Sequence, residues 1–292
     1  MTGKRLLGAL AAGSAVVVAF GLGGGFSASS SWAGGKHDPD AGGQTQTQSQ
    51  AQAQAQAKTQ PQAKASPVAT VAPGSMGLIA LTFDDGPSEI TPQLLEVLKK
   101  KNVKATFFLQ GDHVAAHPEL VRRIHDEGHV IGNHSWSHRP FDGLSDAEAL
   151  REITRTNEAI RKITGVTPEL FRYPQGVESE SGNRAIRSLG MWGGVLWHWE
   201  TDAGDYSCPG ADGVQRYLND NATDQALLLL HDGNEVVDCA QNQPKYLPRA
   251  IDSLRERGFE FGVVASAGGP SWVNQYSWVR VIPADATVPS RR

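Results

Sequence analysis

The chain has 292 residues, 39% hydrophobic and 20% charged, with a formal net charge of -4. This composition excludes a wholly disordered chain and a polytopic membrane protein, and the charge gives no global basic field for nucleic acid. The averages hide an asymmetry, because residues 1–75 hold five basic and two acidic side chains, a net +3, which leaves -7 on residues 76–292.

Lys4 and Arg5 precede an apolar run from Leu6 to Phe26 whose only polar residue is Ser14. A charged start, an apolar stretch and small residues up to a Ser-Trp-Ala site ending at Ala33 form the layout of an export signal, assigned to residues 1–33. The run also reaches the roughly 20 residues that span a bilayer, so an uncleaved N-terminal membrane anchor is the alternative. Six glycines within it weaken a spanning helix and favour cleavage. Either route places the body outside the cytoplasm, secreted or held at the membrane or wall. Residues 34–75 read as a disordered Gln/Ala/Pro-rich linker. Gln occupies every even position from Gln44 to Gln62 except Lys58, and neither face of that alternation is apolar, so nothing drives burial.

From residue 76 to 265, short apolar runs alternate with amphipathic stretches. The runs are Leu78–Phe83, Ala105–Leu109, His129–Gly132, Leu170–Arg172, Gly194–Trp197, Ala226–Leu230 and Phe259–Val264. Thr91-Pro92 reads as a helix cap with Pro in the first turn, and Ser145-Asp146-Ala147-Glu148 as a capping box opening the longest helix. Seven strands alternating with helices predict a parallel α/β fold, a barrel or an open sheet. Residues 266–292 form a C-terminal tail. Cys208 and Cys239, an even count in an oxidising compartment, favour a disulfide over two free thiols.

Polar motifs fall at the ends of these runs. In Thr82-Phe83-Asp84-Asp85-Gly86-Pro87 two adjacent carboxylates follow a strand, one suited to bind a metal and the other to act as a base. In His134-Ser135-Trp136-Ser137-His138 two histidines four apart can face one ion from a helical turn. With one carboxylate they make a two-His, one-carboxylate set, which admits catalytic zinc and also non-haem iron. Arg172 lies at a strand end where it can fix a carboxylate, and His231 follows four leucines at the rim of a dry core.

These motifs, in this order, closely resemble those of the polysaccharide deacetylases, the NodB-homology domain of carbohydrate esterase family 4, over Leu78 to Val264. The resemblance implies a deformed (β/α) barrel of about seven parallel strands and one divalent metal ion, taken as zinc. It implies Asp84 as general base, Asp85, His134 and His138 as metal ligands, and Arg172 as the residue orienting the base. Gln175 is the expected oxyanion donor through its backbone N–H. Asp205 holds His231, the general acid, and Tyr206 is expected beside the substrate. The family's Arg-Pro-Pro-Tyr-Gly reads Arg172-Tyr173-Pro174-Gln175-Gly176 here, and Tyr206 stands where a Trp is usual. A Cys208–Cys239 bridge is expected to pin the loops carrying Asp205 and His231. Trp136, Trp197 and Tyr206 are read as sugar-stacking or core aromatics.

The function implied is a secreted monomeric hydrolase removing acetyl groups from a polysaccharide, most simply N-acetyl groups of chitin oligomers or peptidoglycan. The alternatives are an O-acetyl esterase on acetylated xylan and an inactive carbohydrate-binding protein on the same scaffold. No nucleic-acid partner is expected, and a membrane only through the N-terminal segment.

Overall fold

β1 (Gly77–Asp84) is buried along its whole length, as a continuous apolar run becomes when both faces of a parallel strand are covered. Along the chain follow α1 (Thr91–Lys100), β2 (Thr106–Leu109), α2 (Gly111–Ala116), α3 (Pro118–Asp126), β3 (Val130–Asn133), α4 (Asp146–Thr164), α5 (Glu180–Ser188), α6 (Ala211–Asn221), β4 (Leu227–His231), α7 (Gln243–Glu256), β5 (Phe259–Ser266) and β6 (Val279–Pro283). The structure, a computed structural model, describes residues 74–192, 194–195, 197, 203–239, 242–266 and 279–286. The expected export segment, the expected linker through position 73, and tail residues 267–278 and 287–292 lie outside the described residues.

β1 pairs in parallel with β2, β4 and β5, and β2 pairs in parallel with β3. The sheet curls into a half-barrel with helices packed against it. Alternation along β1 divides the core. Ile79, Leu81 and Phe83 pack with Leu94, Leu98, Leu218 and Leu247 of α1, α6 and α7, whereas Leu78 and Ala80 pack with Phe108, Leu170, Trp192 and Val195. Thr82 and Asp84 continue the second face by the period of two. The register sets Asp84 beside Phe108 on one neighbour and His231 on the other, so three strand ends meet at one rim.

Two of the seven expected runs are not strands. Leu170–Arg172 is reduced to isolated bridges, Asn133 with Phe171 and Leu170 with Trp192. Between Gly194 and Trp197, of which position 196 lies outside the described residues, Val195 N donates to Phe171 O at 3.0 Å. Here a side chain takes a place in the ladder, since Arg172 Nε donates to Val195 O at 2.9 Å. The sixth strand lies in the tail: β6 pairs antiparallel with β5.

The capping box at Ser145 and Glu148 forms as expected, and Gly165 closes α4 in the left-handed conformation, φ 79°. Thr91 differs from its expectation. It is the first helical residue rather than the cap, and its hydroxyl accepts Ser88 N at 2.9 Å and donates to Asp232 Oδ2 at 2.6 Å.

Candidate active site

Asp84 ends β1 with its carboxylate turned inward. Arg172 Nη1 donates to Asp84 Oδ1 at 2.7 Å and to Thr82 Oγ1 at 2.8 Å, and its guanidinium lies 4.0 Å over the Phe108 ring. Arg172 is fully buried, so its charge is paired, hydrogen-bonded and stacked at once, which is what burial of a guanidinium demands. The pair holds Asp84 Oδ1 and leaves Oδ2 3.7 Å from His134 Nε2.

Asp85 turns the chain in a left-handed conformation, φ 69°, and Gly86 follows where a Cβ would collide with the Asp232 carboxylate. Its Oδ1 lies 3.2 Å from Nε2 of both His134 and His138. The histidines follow β3 and converge on one point, though not from a helical turn. The segment between them is non-helical, with Ser135 and His138 left-handed at φ 67° and 54°. His134 Nδ1 donates to Arg172 O at 2.9 Å, which leaves Nε2 with its lone pair toward Asp85.

Ligand atoms of Asp85, His134 and His138 all lie within 4.8 Å of one another. Asp85 Oδ1 is buried and makes no geometrically acceptable hydrogen bond. An orphaned carboxylate oxygen with two imidazole nitrogens at 3.2 Å suits a divalent cation with open coordination positions, and the N₂O donor set fits zinc. Burial alone would raise the Asp85 carboxyl, but the adjacent His134, with His138 and His231, outweighs it and holds the group well below the ordinary carboxylate range.

Opposite this cluster, His231 Nδ1 lies 2.7 Å from Asp205 Oδ1, and His231 N donates to Asp205 Oδ2 at 2.9 Å. Gln243 Nε2 donates to the same Oδ2 at 2.6 Å and also to His231 O. Burial would lower the imidazole. The hydrogen bond and charge of Asp205, with Asp85 and Asp84 adding, overcome this and push His231 up to about 10. Asp205 sits in a short 3₁₀ turn, Asp205–Ser207, ended by Cys208, whose sulfur is bonded to Cys239.

A cavity of about 470 Å³ joins these parts, lined by Asp84, Asp85, His134, His138 and His231 with Gln175, Trp197, Tyr206, Leu229 and Glu235. Gln175 is exposed and left-handed, φ 55°, while Tyr173 is buried against Phe141 and Phe171 with its hydroxyl donating to Asn183 Oδ1 at 2.9 Å. Tyr206 is 48% exposed and meets His231 edge-on, ring centroids 5.3 Å apart. Trp136 does not line this cavity. Its ring carries the Arg155 guanidinium at 3.5 Å.

A polysaccharide deacetylase family model matches residues 72–193. A chitooligosaccharide deacetylase of Rhizobium leguminosarum is 38% identical over 196 residues, covering 62% of this chain and 87% of that protein. The chain belongs to the polysaccharide deacetylase family. A peptidoglycan-N-acetylglucosamine deacetylase of Listeria monocytogenes is 36% identical over 184 residues, 63% of this chain, and the matched part spans 37% of that protein's length. The solved family 4 carbohydrate esterase from Streptomyces lividans, in complex with acetate, superposes with TM-score 0.61 at 30% identity, covering 72% of this chain and all of that one. Its likeness agrees with the curled parallel sheet described above.

Of the seven residues expected from the motifs, Asp84, Asp85, His134, His138 and His231 line one cavity, while Arg172 and Asp205 stand behind Asp84 and His231. Several surrounding residues were not anticipated. Thr82 shares Arg172 with Asp84, and its place on the same strand face was available from the period of two. Gln243 braces Asp205 from α7. His113 Nδ1 lies 2.6 Å from Asp85 O, with Nε2 3.1 Å from Asn234 Nδ2, and Asp232 is buried beneath Gly86. Glu152 takes hydrogen bonds from the loop between the two histidines. Apart from Thr82, none of these carries a local sequence signal.

Proposed function

We propose that this chain is an exported, metal-dependent hydrolase that removes acetyl groups from a polysaccharide, N-acetyl groups of chitin oligomers or peptidoglycan glycan before O-acetyl groups of xylan. The observation that carries this reading is the arrangement of an arginine-held carboxylate and an aspartate-held histidine in one cavity with the Asp85–His134–His138 cluster. The names of the Listeria and Rhizobium relatives support the N-acetyl substrates. Export rests on Lys4, Arg5 and the Leu6–Phe26 run, and residues 76–265 are proposed as the catalytic domain.

A divalent ion held by Asp85, His134 and His138, zinc by its donor set, would supply Lewis-acid polarisation of a carbonyl and a lower pKa for water. Asp84, with Oδ1 held by Arg172, offers Oδ2 to accept a proton as water adds to the acetyl carbon. Arg172 orients that carboxylate and keeps it from swinging toward the histidines. The Gln175 N–H, on a left-handed residue at the cavity wall, is assigned to the oxyanion. His231, with one ring nitrogen facing Asp205, carries its other proton to the departing amine or hydroxyl. Tyr206, exposed beside His231, is positioned to meet a sugar ring.

The deciding measurement is acetate release from acetylated chitooligosaccharide, peptidoglycan and acetylated xylan, after chelation and after zinc is restored. Release is expected from the N-acetyl substrates, lost with chelator and regained with zinc. Folded, zinc-loaded protein that releases acetate from none of them overturns the enzyme reading in favour of a carbohydrate-binding one.

A further inference from the structure

The loop from His134 to His138 must hold two imidazoles on one point without the help of a helix. Ser135 and His138 are both left-handed, which costs energy for residues bearing a Cβ, so interactions outside the loop must fix it. All four N–H groups from Ser135 to His138 have identified acceptors. Ser135 N donates to Asn133 Oδ1 at 2.8 Å, and His138 N to Ser135 Oγ at 3.1 Å. The two between them, Trp136 N and Ser137 N, go to a single oxygen, Glu152 Oε2, at 3.0 and 2.9 Å. Ser137 Oγ lies 3.0 Å from Glu152 Oε1 and donates to the same carboxylate.

Two of the loop's carbonyls are held as well, since Gly111 N and Asp112 N of α2 donate to Ser135 O and Trp136 O at 2.9 and 3.1 Å. α4 is the scaffold for the rest. Asn133 Nδ2 donates to Ile153 O and Asn157 Oδ1 of that helix, and Arg155 stacks on the Trp136 ring. A carboxylate that collects three donors binds each more strongly than a neutral acceptor would. Its removal strands two backbone N–H groups between the ligands in a partly buried loop.

We propose that Glu152 is the positioning residue of the metal centre: its carboxylate shapes the His134–His138 loop so that both Nε2 atoms face Asp85 Oδ1. This rests on the metal-centre reading above. The test is the zinc dissociation constant of the full chain and of Glu152→Ala and Glu152→Gln, measured by competition with a chromophoric chelator, with melting temperatures taken with and without zinc. Loss of a group that orients metal ligands costs about 10–100-fold in affinity, which is the loss expected for Glu152→Ala. Glu152→Gln keeps an oxygen acceptor without the charge and is expected to lose less. The rise in melting temperature on adding zinc should shrink in the same order.

An unchanged zinc constant in Glu152→Ala, with only a lower zinc-free melting temperature, reduces Glu152 to a structural contact and overturns the proposal. Equal losses in the two variants assign the effect to charge rather than loop geometry, and overturn it too. If Glu152→Ala does not fold, the zinc constant of Glu152→Gln decides, with no loss counting against the role. A wild-type chain that binds no zinc overturns the metal-centre reading, and the proposal with it.

Discussion

Asp205 receives three donors, His231 N, His231 Nδ1–H and Gln243 Nε2–H, and through them governs the proton that His231 carries. Burial works against that proton, so removing the carboxylate lets desolvation prevail and the imidazole deprotonates at lower pH. In Asp205→Asn the alkaline limb of kcat/KM is therefore expected to move to lower pH, and in Gln243→Ala in the same direction by less. Profiles from pH 5 to 11 with the limb unmoved in Asp205→Asn would remove His231 from the acid's role. His231→Ala is expected to lose about 10²–10⁴-fold in kcat with KM little changed. Arg172→Lys should behave similarly, because one ammonium cannot span Thr82, Asp84 and Val195 O as the guanidinium does. Asp84 and Asp85 stood out because two adjacent carboxylates at a strand end are hard to explain otherwise, and His134 and His138 gained meaning only together with one of them. Gln243 and Glu152 did not stand out, because each sits on the helix after its partner's loop and looks like any polar helical residue.

At the level of elements, β1 to β5 were legible as apolar runs, and the capping box marked the start of α4. Leu170–Arg172 misled because its apolar residues face the core while its backbone pairs only through single bridges, Phe171 with Asn133 and Leu170 with Trp192. β6 was missed because its five residues, Val279–Pro283, carry too little pattern to stand out in the tail. The Cys208–Cys239 bridge joins the turn holding Asp205 to the segment after His231, and it closes a separation of 31 residues. A loop of that length corresponds to about 3–4 kcal/mol in the chain-entropy account. Cys208→Ser should therefore lower the melting temperature by several degrees and weaken activity, since Asp205 loses the restraint on its turn. Thermal unfolding and acetate release matching the wild type, before and after reduction, would leave the bridge without either role.

Among the described buried groups whose proton affinity rises on folding, Asp232 and His231 weaken the molecule toward alkaline pH. Asp232 is fully buried beneath Gly86. Burial raises its carboxyl from 3.8 to about 8, against the Thr91 hydrogen bond and with Glu235, Asp85 and Asp84 adding. A group with a raised folded pKa stabilises fully below its unfolded value, and that stability is lost as pH climbs through the folded one. For Asp232 the window runs from 3.8 to about 8, and for His231 from 6.5 to about 10. Buried His129, held down to about 3, works the other way up to 6.5, so urea unfolding of chelator-treated protein is expected to show stability falling between pH 7 and 10. Asp232→Asn is neutral and nearly isosteric, and its amide oxygen can still accept from Thr91. It should match the wild type near pH 4 and exceed it above pH 8, because it never has to hold a buried charge. A variant that loses stability between pH 4 and 8 as steeply as the wild type would show that the carboxylate at Asp232 is solvated or paired in a way its surroundings do not provide.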